Sequence, residues 1–568
     1  MNDSRKTFAT MAVTAAAAAT LLASCATSNA PAPSAQPTGD TRAVLVPGAG
    51  TYSRSISTDS ETAQQFFDQG LRLAWGFYFP ESIASYQEAA RHDPDHPMIY
   101  WGMAHAMGPN PNSRYSRLPD DPQGEGLKAI RKALELIDNA TPQERELIEA
   151  LYVRYNKDAI PDGDARDQAY MAAMRRLNEK YPDDPDIGSM FADSYMSIGR
   201  WDYWDKEGKP KPGTIRVMLS LERVLRAEPG HPGANHLHIH LLEASLQPER
   251  ALGSADRLEA TMPIAGHVVH MPAHIYVRVG QYDKAIASNI RSQAVDKEFL
   301  EIWGDHPFPT IGTYSLSARI HAPHAIDFVR YAATIQGNYE TAIEAAYQSA
   351  ASINDDNIDL RSGQKRAAGP WLVHKIFGKW DALIGKEPEF SGRPYLDGIW
   401  SYSLGSALIA TGDTAGAQRE LDNILRIIDL PNVNEVMVGP APTSTVLTMA
   451  AFGLEGEMKQ AAGDLDGAIA AFAAAVEIED QNPYVEPPDW AQPVRHYLGA
   501  ALIEADRAEE AEAVYRRDLR WNQNNGWALF GLWKSLDAQG KTAEAGSARE
   551  AYETSWQNSD VTLARSRI

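Results

Sequence analysis

Residues 236–243 read His-Leu-His-Ile-His-Leu-Leu-Glu, and residues 267–274 read His-Val-Val-His-Met-Pro-Ala-His. His236, His240 and Glu243 stand at i, i+4 and i+7, and His267, His270 and His274 at i, i+3 and i+7. On helices each set occupies one face. Imidazoles four residues apart form a two-point chelate for a metal ion. Imidazole with carboxylate and no thiolate suits Zn, Cu, Ni or Fe. The competing chemistry is a polar groove lining, in which rings hydrogen-bond one another, water or carboxylates. His238 falls on the opposite side of its helix and reads as a structural histidine. Pro272, between His270 and His274, costs a helical hydrogen bond and is placed to re-aim a ring.

Each histidine run leads into a short turn and a second helical segment, PERALGSADRL after the first and QYDKAIASNI after the second. The punctuation recurs along an almost wholly amphipathic-helical chain. Gly280-Gln-Tyr282-Asp-Lys-Ala285 is matched by Gly337-Asn-Tyr339-Glu-Thr-Ala342, Gly412 to Ala417, Gly463 to Ala468, Asp506 to Ala511 and Gly540 to Ala545. Glycine permits a left-handed turn between helices, and alanine lets them pack closely. The period is one helix pair per roughly 34–45 residues.

The pattern resembles the tetratricopeptide repeat (TPR) family over about residues 61–560. The resemblance implies an all-α, tetratricopeptide-repeat α-solenoid, a superhelix of helix hairpins with a concave groove lined by each first helix. It also implies groove-facing positions. His236 and His270 fall at the same such position, as do His240 and His274, while Glu243, His267 and His324 fall at others. Asp327 falls at the position of His236 in the next unit. His324, Asp327 and His321 are thereby further ligand or supporting candidates, and Glu243 and Asp327 are candidate general bases. His105 also falls at a groove position, with Trp101 reading as core. The stretches FDQGLRLAWGFYFPESIASYQEAA and HMPAHIYVRVGQYDKAI resemble a group of bacterial repeat proteins, which implies architecture and no chemistry.

A second constellation runs from Tyr484 through Glu486, Asp489, Trp490 and Arg495 to His496. Its prolines give an extended lead into a helix. Glu486, Asp489, Trp490, Arg495 and His496 are candidate ligand-binding residues for a sugar, peptide or carboxylate. The plainer reading is an entry loop with Asp489 and Arg495 paired. Asp202, Tyr203 and Trp204 form a loop suited to covering the histidine repeat or to capping a helix.

The first 25 residues read as a leader. Arg5 and Lys6 precede an apolar stretch too short to span a bilayer, and Leu22-Ala23-Ser24-Cys25 resembles the bacterial lipobox. The resemblance implies lipidation at Cys25 and a periplasm-facing outer-membrane lipoprotein, held to the membrane by its N-terminal lipid alone. An ordinary secretory signal cut near Ala26 is the alternative. The expected organisation is then a leader over 1–25, a flexible tether and lead-in over 26–60, and an N-terminal TPR array with a His-lined groove over 61–355. An irregular helical connection over 356–395 and a C-terminal TPR array over 396–568 follow.

Cys25 is the only cysteine, which excludes disulfides and cysteine-type zinc sites from the fold. The net charge of −22 and the lack of a basic stripe argue against nucleic acid as a partner. No GxGxxG, Walker, GxSxG or HExxH motif is present. The sequence therefore points to an exported repeat protein that binds a protein or peptide partner of the cell envelope, or a small molecule, in its groove, with a possible transition-metal site. A metal-dependent hydrolytic or oxidative enzyme and a metal-free assembly scaffold are the alternatives.

Overall fold

The computed structural model describes residues 43–112, 121–304, 322–360 and 362–568. The leader, Cys25, most of the tether and residues 305–321, among them His321, lie outside the described residues. Residues 42–568 form one compact unit. Among the described residues there is no β-strand, only two isolated bridges, and no helix is long and apolar enough to cross a membrane.

The repeat punctuation builds the hairpins. Pro272–Arg278 pairs with Tyr282–Trp303, Ala322–Gln336 with Tyr339–Ala350, Thr443–Ala461 with Leu465–Gln481, and Gly526–Ala538 with Thr542–Ser555. At each turn of the recurring pattern one residue is left-handed. Gly280, Gly337, Gly412, Gly463 and Gly540 have φ between +72° and +87°, and Asp506 takes the same role at +59°. The alanines of the second helices, Ala285, Ala342, Ala417, Ala468 and Ala511, are fully buried where the helices meet. Asn338, Asp413 and Asp464 cap those helices by accepting backbone N–H bonds at 2.8–3.0 Å. The chain is an all-α solenoid of helix hairpins, and its turns, packing alanines and caps are those of a TPR-like array.

The superhelix turns back on itself, and this decides the site. At the N-terminal side, Glu61–Trp75 packs on the first histidine helix, Pro232–Leu242. Asp186 anchors both. It accepts from Trp75 Nε1 at 3.3 Å, contacts His231 Nε2 at 3.2 Å, and accepts from Tyr52 and Arg54 of the extended lead-in at 2.8 and 3.0 Å. His231 in turn caps the histidine helix, its Nδ1 accepting from Ala234 N–H at 3.0 Å. At the C-terminal side, residues 484–568 fold against residues 274–304 and 322–340. Arg278 donates to the carbonyls of Glu243, Ser245 and Trp521 and lies 4.5 Å over the Trp521 ring. Trp527 Nε1 donates to Thr334 O at 3.1 Å, and Asp560 accepts from Tyr339 and Glu340 N–H at 2.8 and 2.9 Å.

Arg278 is buried and charged, and its removal strands three carbonyls. Arg278→Ala is expected to lower the urea midpoint and to raise amide exchange both near 243–246 and near 519–523. Faster exchange at only one of the two segments would show that Arg278 does not join them.

Candidate metal centre

One continuous and one broken helix carry the histidines. Pro232–Leu242 is continuous, with Gly233 so close to Trp75 that an added Cβ would lie 2.3 Å from the indole. The second run splits at Met271 into Gly266–His270 and Pro272–Arg278, as Pro272 requires. The break leaves His270 and His274 with their Nε2 atoms 2.9 Å apart. Gly266 seats the first piece: its N–H donates to Asp296 Oδ1 at 3.1 Å, and a Cβ there would strike that carboxylate at 2.2 Å. Tyr78 also donates to Asp296 Oδ1, at 2.7 Å, and accepts from His267 N–H at 3.2 Å.

Six histidines gather in two adjoining triads. His236, His240 and His267 form one, and His270, His274 and His324 the other, and in each the three candidate donor atoms lie within 4.8 Å of one another. The triads abut, with ring centroids 6.0 Å apart for His267 and His270 and 5.9 Å for His240 and His274. Five of the rings are buried and His324 is half-buried. The groove positions are thus filled instead of open, because the returning superhelix places other residues over them. Phe77, at φ +62°, lies against His236, His240 and His267 at 4.3–5.8 Å. Phe328 lies against His270, His274 and His324 at 4.6–5.2 Å.

Hydrogen bonds fix the protons. His236 Nδ1 faces the Trp75 carbonyl at 2.6 Å, His240 Nδ1 faces Glu243 Oε1 at 3.0 Å, and His270 Nδ1 faces Asn289 Oδ1 at 2.6 Å. His274 Nδ1 faces Glu243 Oε2, with Glu486 Oε2 at 2.9 Å. These oxygens only accept, so each Nδ1 carries a proton and each Nε2 turns inward. His236 Nε2 meets His267 Nε2 at 3.2 Å. His240 Nε2 is buried with no hydrogen-bond partner. Such outer partners are those that orient imidazoles bound to metals through Nε2.

Burial alone pushes the Glu243 carboxyl up, but the adjacent His274 and His240 rings hold it below the usual carboxylate range. Burial pulls the His274 ring down, and Glu243 with Glu486 more than reverses this, raising it to about 10. Burial pushes Glu486 up to about 7 against the pull of His274. Burial, with the neighbouring His240, keeps His236 well below the ordinary histidine value.

The structure sorts the remaining sequence candidates. Glu486 of the distal constellation reaches His274, with Tyr484 O–H donating to its other oxygen. Its companions do not follow. Asp489 pairs with Lys365 at 3.1 Å and Arg495 with Asp480 at 2.6 Å, so the expected Asp489–Arg495 pair is absent. Trp490 packs on Tyr402, and buried His496 contacts Asp518 at 3.3 Å. These four are held apart because each is engaged by a different partner, Lys365, Asp480, Tyr402 and Asp518. Asp327 is likewise no general base for the cluster: Arg366 and Ser349 bond it at 2.8 and 3.0 Å. Glu243 accepts from two imidazoles and Trp201 Nε1 and so is not a free base, and with His274 and Glu486 it forms a third group whose donor atoms lie within 4.8 Å of one another. His238 bonds Ser254 at 3.0 Å, away from the cluster. His105 stacks on buried Trp101. Beside Asp202, Tyr203 and Trp204 the covering residue is the preceding Trp201; Tyr203 and Trp204 bond backbone carbonyls instead. Phe77, Trp75, Trp201 and Asn289 escaped the sequence reading, since nothing in their local spacing marks them. Only the repeat register, which places Asn289 on the helix paired with His270, carried a signal.

No family model and no curated protein matches the chain. Among solved structures it is similar to human IFIT1 in a dimer with PPP-AAAA, at 13% identity over 86% of this chain and 89% of that one, TM-score 0.27. It is also similar to the APC/C hetero-tetramer Cut9–Hcn1, at 14% identity over 89% and 76%, TM-score 0.28. Yeast Tom70 is similar at 9% identity over 85% and 90%, TM-score 0.27. At these scores the likeness carries no inference about function, which rests on the chain's own geometry.

The proton assignments are directly measurable. In nitrogen-15 spectra of histidine-labelled, chelator-treated protein, His274 is expected to be doubly protonated at pH 8. His236 is expected to remain a neutral Nδ1–H ring at pH 5. A neutral His274 at pH 8 would show that Glu243 and Glu486 do not hold its proton.

Proposed function

We propose that this is an envelope-anchored, TPR-like protein whose histidine core binds a transition metal. One observation carries the reading. Four buried imidazoles have Nδ1 tied to acceptors, which leaves Nε2 toward the neighbouring rings, and His240 Nε2 has no hydrogen-bond partner. A buried unbonded lone pair costs about 1–3 kcal/mol, and a bound ion removes that cost. Facing Nε2 atoms make the same point. His236 Nε2 and His270 Nε2 each present a lone pair to another ring, an arrangement held by a shared proton or by a metal in its place. The donor set is imidazole, with carboxylates behind it, and suits Zn, Cu, Ni or Fe.

Envelope anchoring through Cys25 rests on the lipobox-like sequence, outside the described residues. A protein or peptide partner on the outer face is compatible with the repeat architecture. A metal-dependent enzyme is the second reading, favoured by one feature. Glu486, pushed up to about 7, sits beside His274 and is suited to proton transfer near neutral pH.

Plasma mass spectrometry of the chain from Ala26 onward, purified without a His tag, tests the metal reading. Bound transition metal is expected, with loss in His236→Ala/His270→Ala at retained helicity. No metal in the parent protein after incubation with Zn, Cu, Ni and Fe would overturn it. Glu243→Gln keeps every imidazole but weakens the acceptor shared by His240 and His274. It is expected to cost about 10–100-fold in metal affinity, read by competition with a chromogenic chelator. An unchanged affinity would show that Glu243 only fills space.

A further inference from the structure

We infer that the histidine core is a dinuclear centre, with one ion in each triad and room for one small ligand bridging them. The inference rests on the metal-binding reading above and goes beyond it in stoichiometry and ligand class.

Six imidazoles exceed what one tetrahedral ion takes, and their donor atoms fall into two sets of three, His236 with His240 and His267, and His270 with His274 and His324, each set within 4.8 Å. Each triad has its own phenylalanine wall, Phe77 for one and Phe328 for the other. Each also has its own pair of closely opposed Nε2 atoms, His236 with His267 and His270 with His274. Three imidazoles leave one position open on a four-coordinate ion. The triads meet side by side through His267–His270 and His240–His274, so ions seated in them are neighbours. Paired ions in proteins commonly stand about 3.5–4 Å apart and hold a ligand between them.

Glu243 joins the two halves. One carboxylate oxygen takes the His240 Nδ1 proton and the other takes that of His274. A single buried anion therefore orients one ligand of each ion and offsets part of their charge. Trp201 Nε1, bonded to Glu243 at 2.6 Å, holds it in this bridging pose. The chemistry that fits an all-imidazole pair is a small anion or diatomic molecule, with hydroxide as the simplest occupant and azide as a probe. The second triad is the accessible one, because His324 is the half-buried ring.

The test is metal stoichiometry and magnetic coupling in the full chain, purified in detergent and stripped with chelator. Two tightly held equivalents of Cu(II) per chain are expected. On filling the second site, the paramagnetic resonance signal of the first ion is expected to fall or broaden, and azide to change it again. His236→Ala and His324→Ala, checked for helicity, are each expected to retain one equivalent. Two equivalents whose signals simply add and ignore azide would overturn the pairing. So would one equivalent in the parent lost in both variants, which describes a single ion astride the triads and leaves metal binding intact. Zero equivalents would defeat the metal reading itself. The resonance measurement needs no variant, so a misfolded substitution cannot mask the answer.

Discussion

A carboxylate that leaves water must be met by donors, and Glu243 is met from three directions. His240, His274 and the Trp201 indole bond its two oxygens, while Arg278 bonds its own backbone carbonyl. These partners come from three separate stretches of chain, His274 and Arg278 sharing the helix Pro272–Arg278. The two histidine helices cannot shift against each other without breaking one of the imidazole bonds. The 201 loop and the arginine that reaches Trp521 are tied to the same point. Burying an ion pair costs several kcal/mol before its attraction is counted. A core holding six histidines and two glutamates at one place is therefore poor economy for stability alone, and that imbalance points to a ligand.

The hydrophobic surroundings serve the same arrangement. Phe77 occupies a left-handed conformation, unfavourable for a bulky residue, and its ring walls the first triad. Phe328 walls the second. Apolar walls exclude water, strengthen the electrostatics inside and keep the imidazoles in fixed rotamers. Trp75 links this shell to the fold: its indole is held by Asp186 and its carbonyl receives His236. The lead-in from Tyr52 to Arg54 fastens Asp186, so order near the start of the described chain reaches His236 through Asp186 and Trp75.

Much of this was legible in sequence, and the limit has a physical basis. Turn glycines and packing alanines encode hairpins through local sterics, so the all-α repeat architecture followed directly. Helical spacing put His236 with His240 and, across the repeat register, alongside His267 and His270. What spacing cannot encode is how far a superhelix turns. Glu486 lies over 200 residues beyond His274, and only the closure of the array brings them together. Closure also changes an exposed groove into a buried core, which reversed the role of Glu243 from free base to shared acceptor. Asp327, at the groove position of His236 in its own unit, was drawn off by Arg366, whose position no repeat rule foretold. Phe77 and Trp201 gave no periodic signal, because they act from a turn and a loop.

The most direct test of the account is anomalous diffraction from crystals of the protein grown with zinc. The account predicts density at about 2.0–2.1 Å from ring nitrogens of His236, His240 and His267, of His270, His274 and His324, or of both triads. The Nδ1 atoms of His236, His240, His270 and His274 would still be bonded to Trp75, Glu243 and Asn289. Zinc found only on the surface, with His236 and His267 and likewise His270 and His274 still sharing protons, would contradict it. The histidines would then be a hydrogen-bonded core and nothing more.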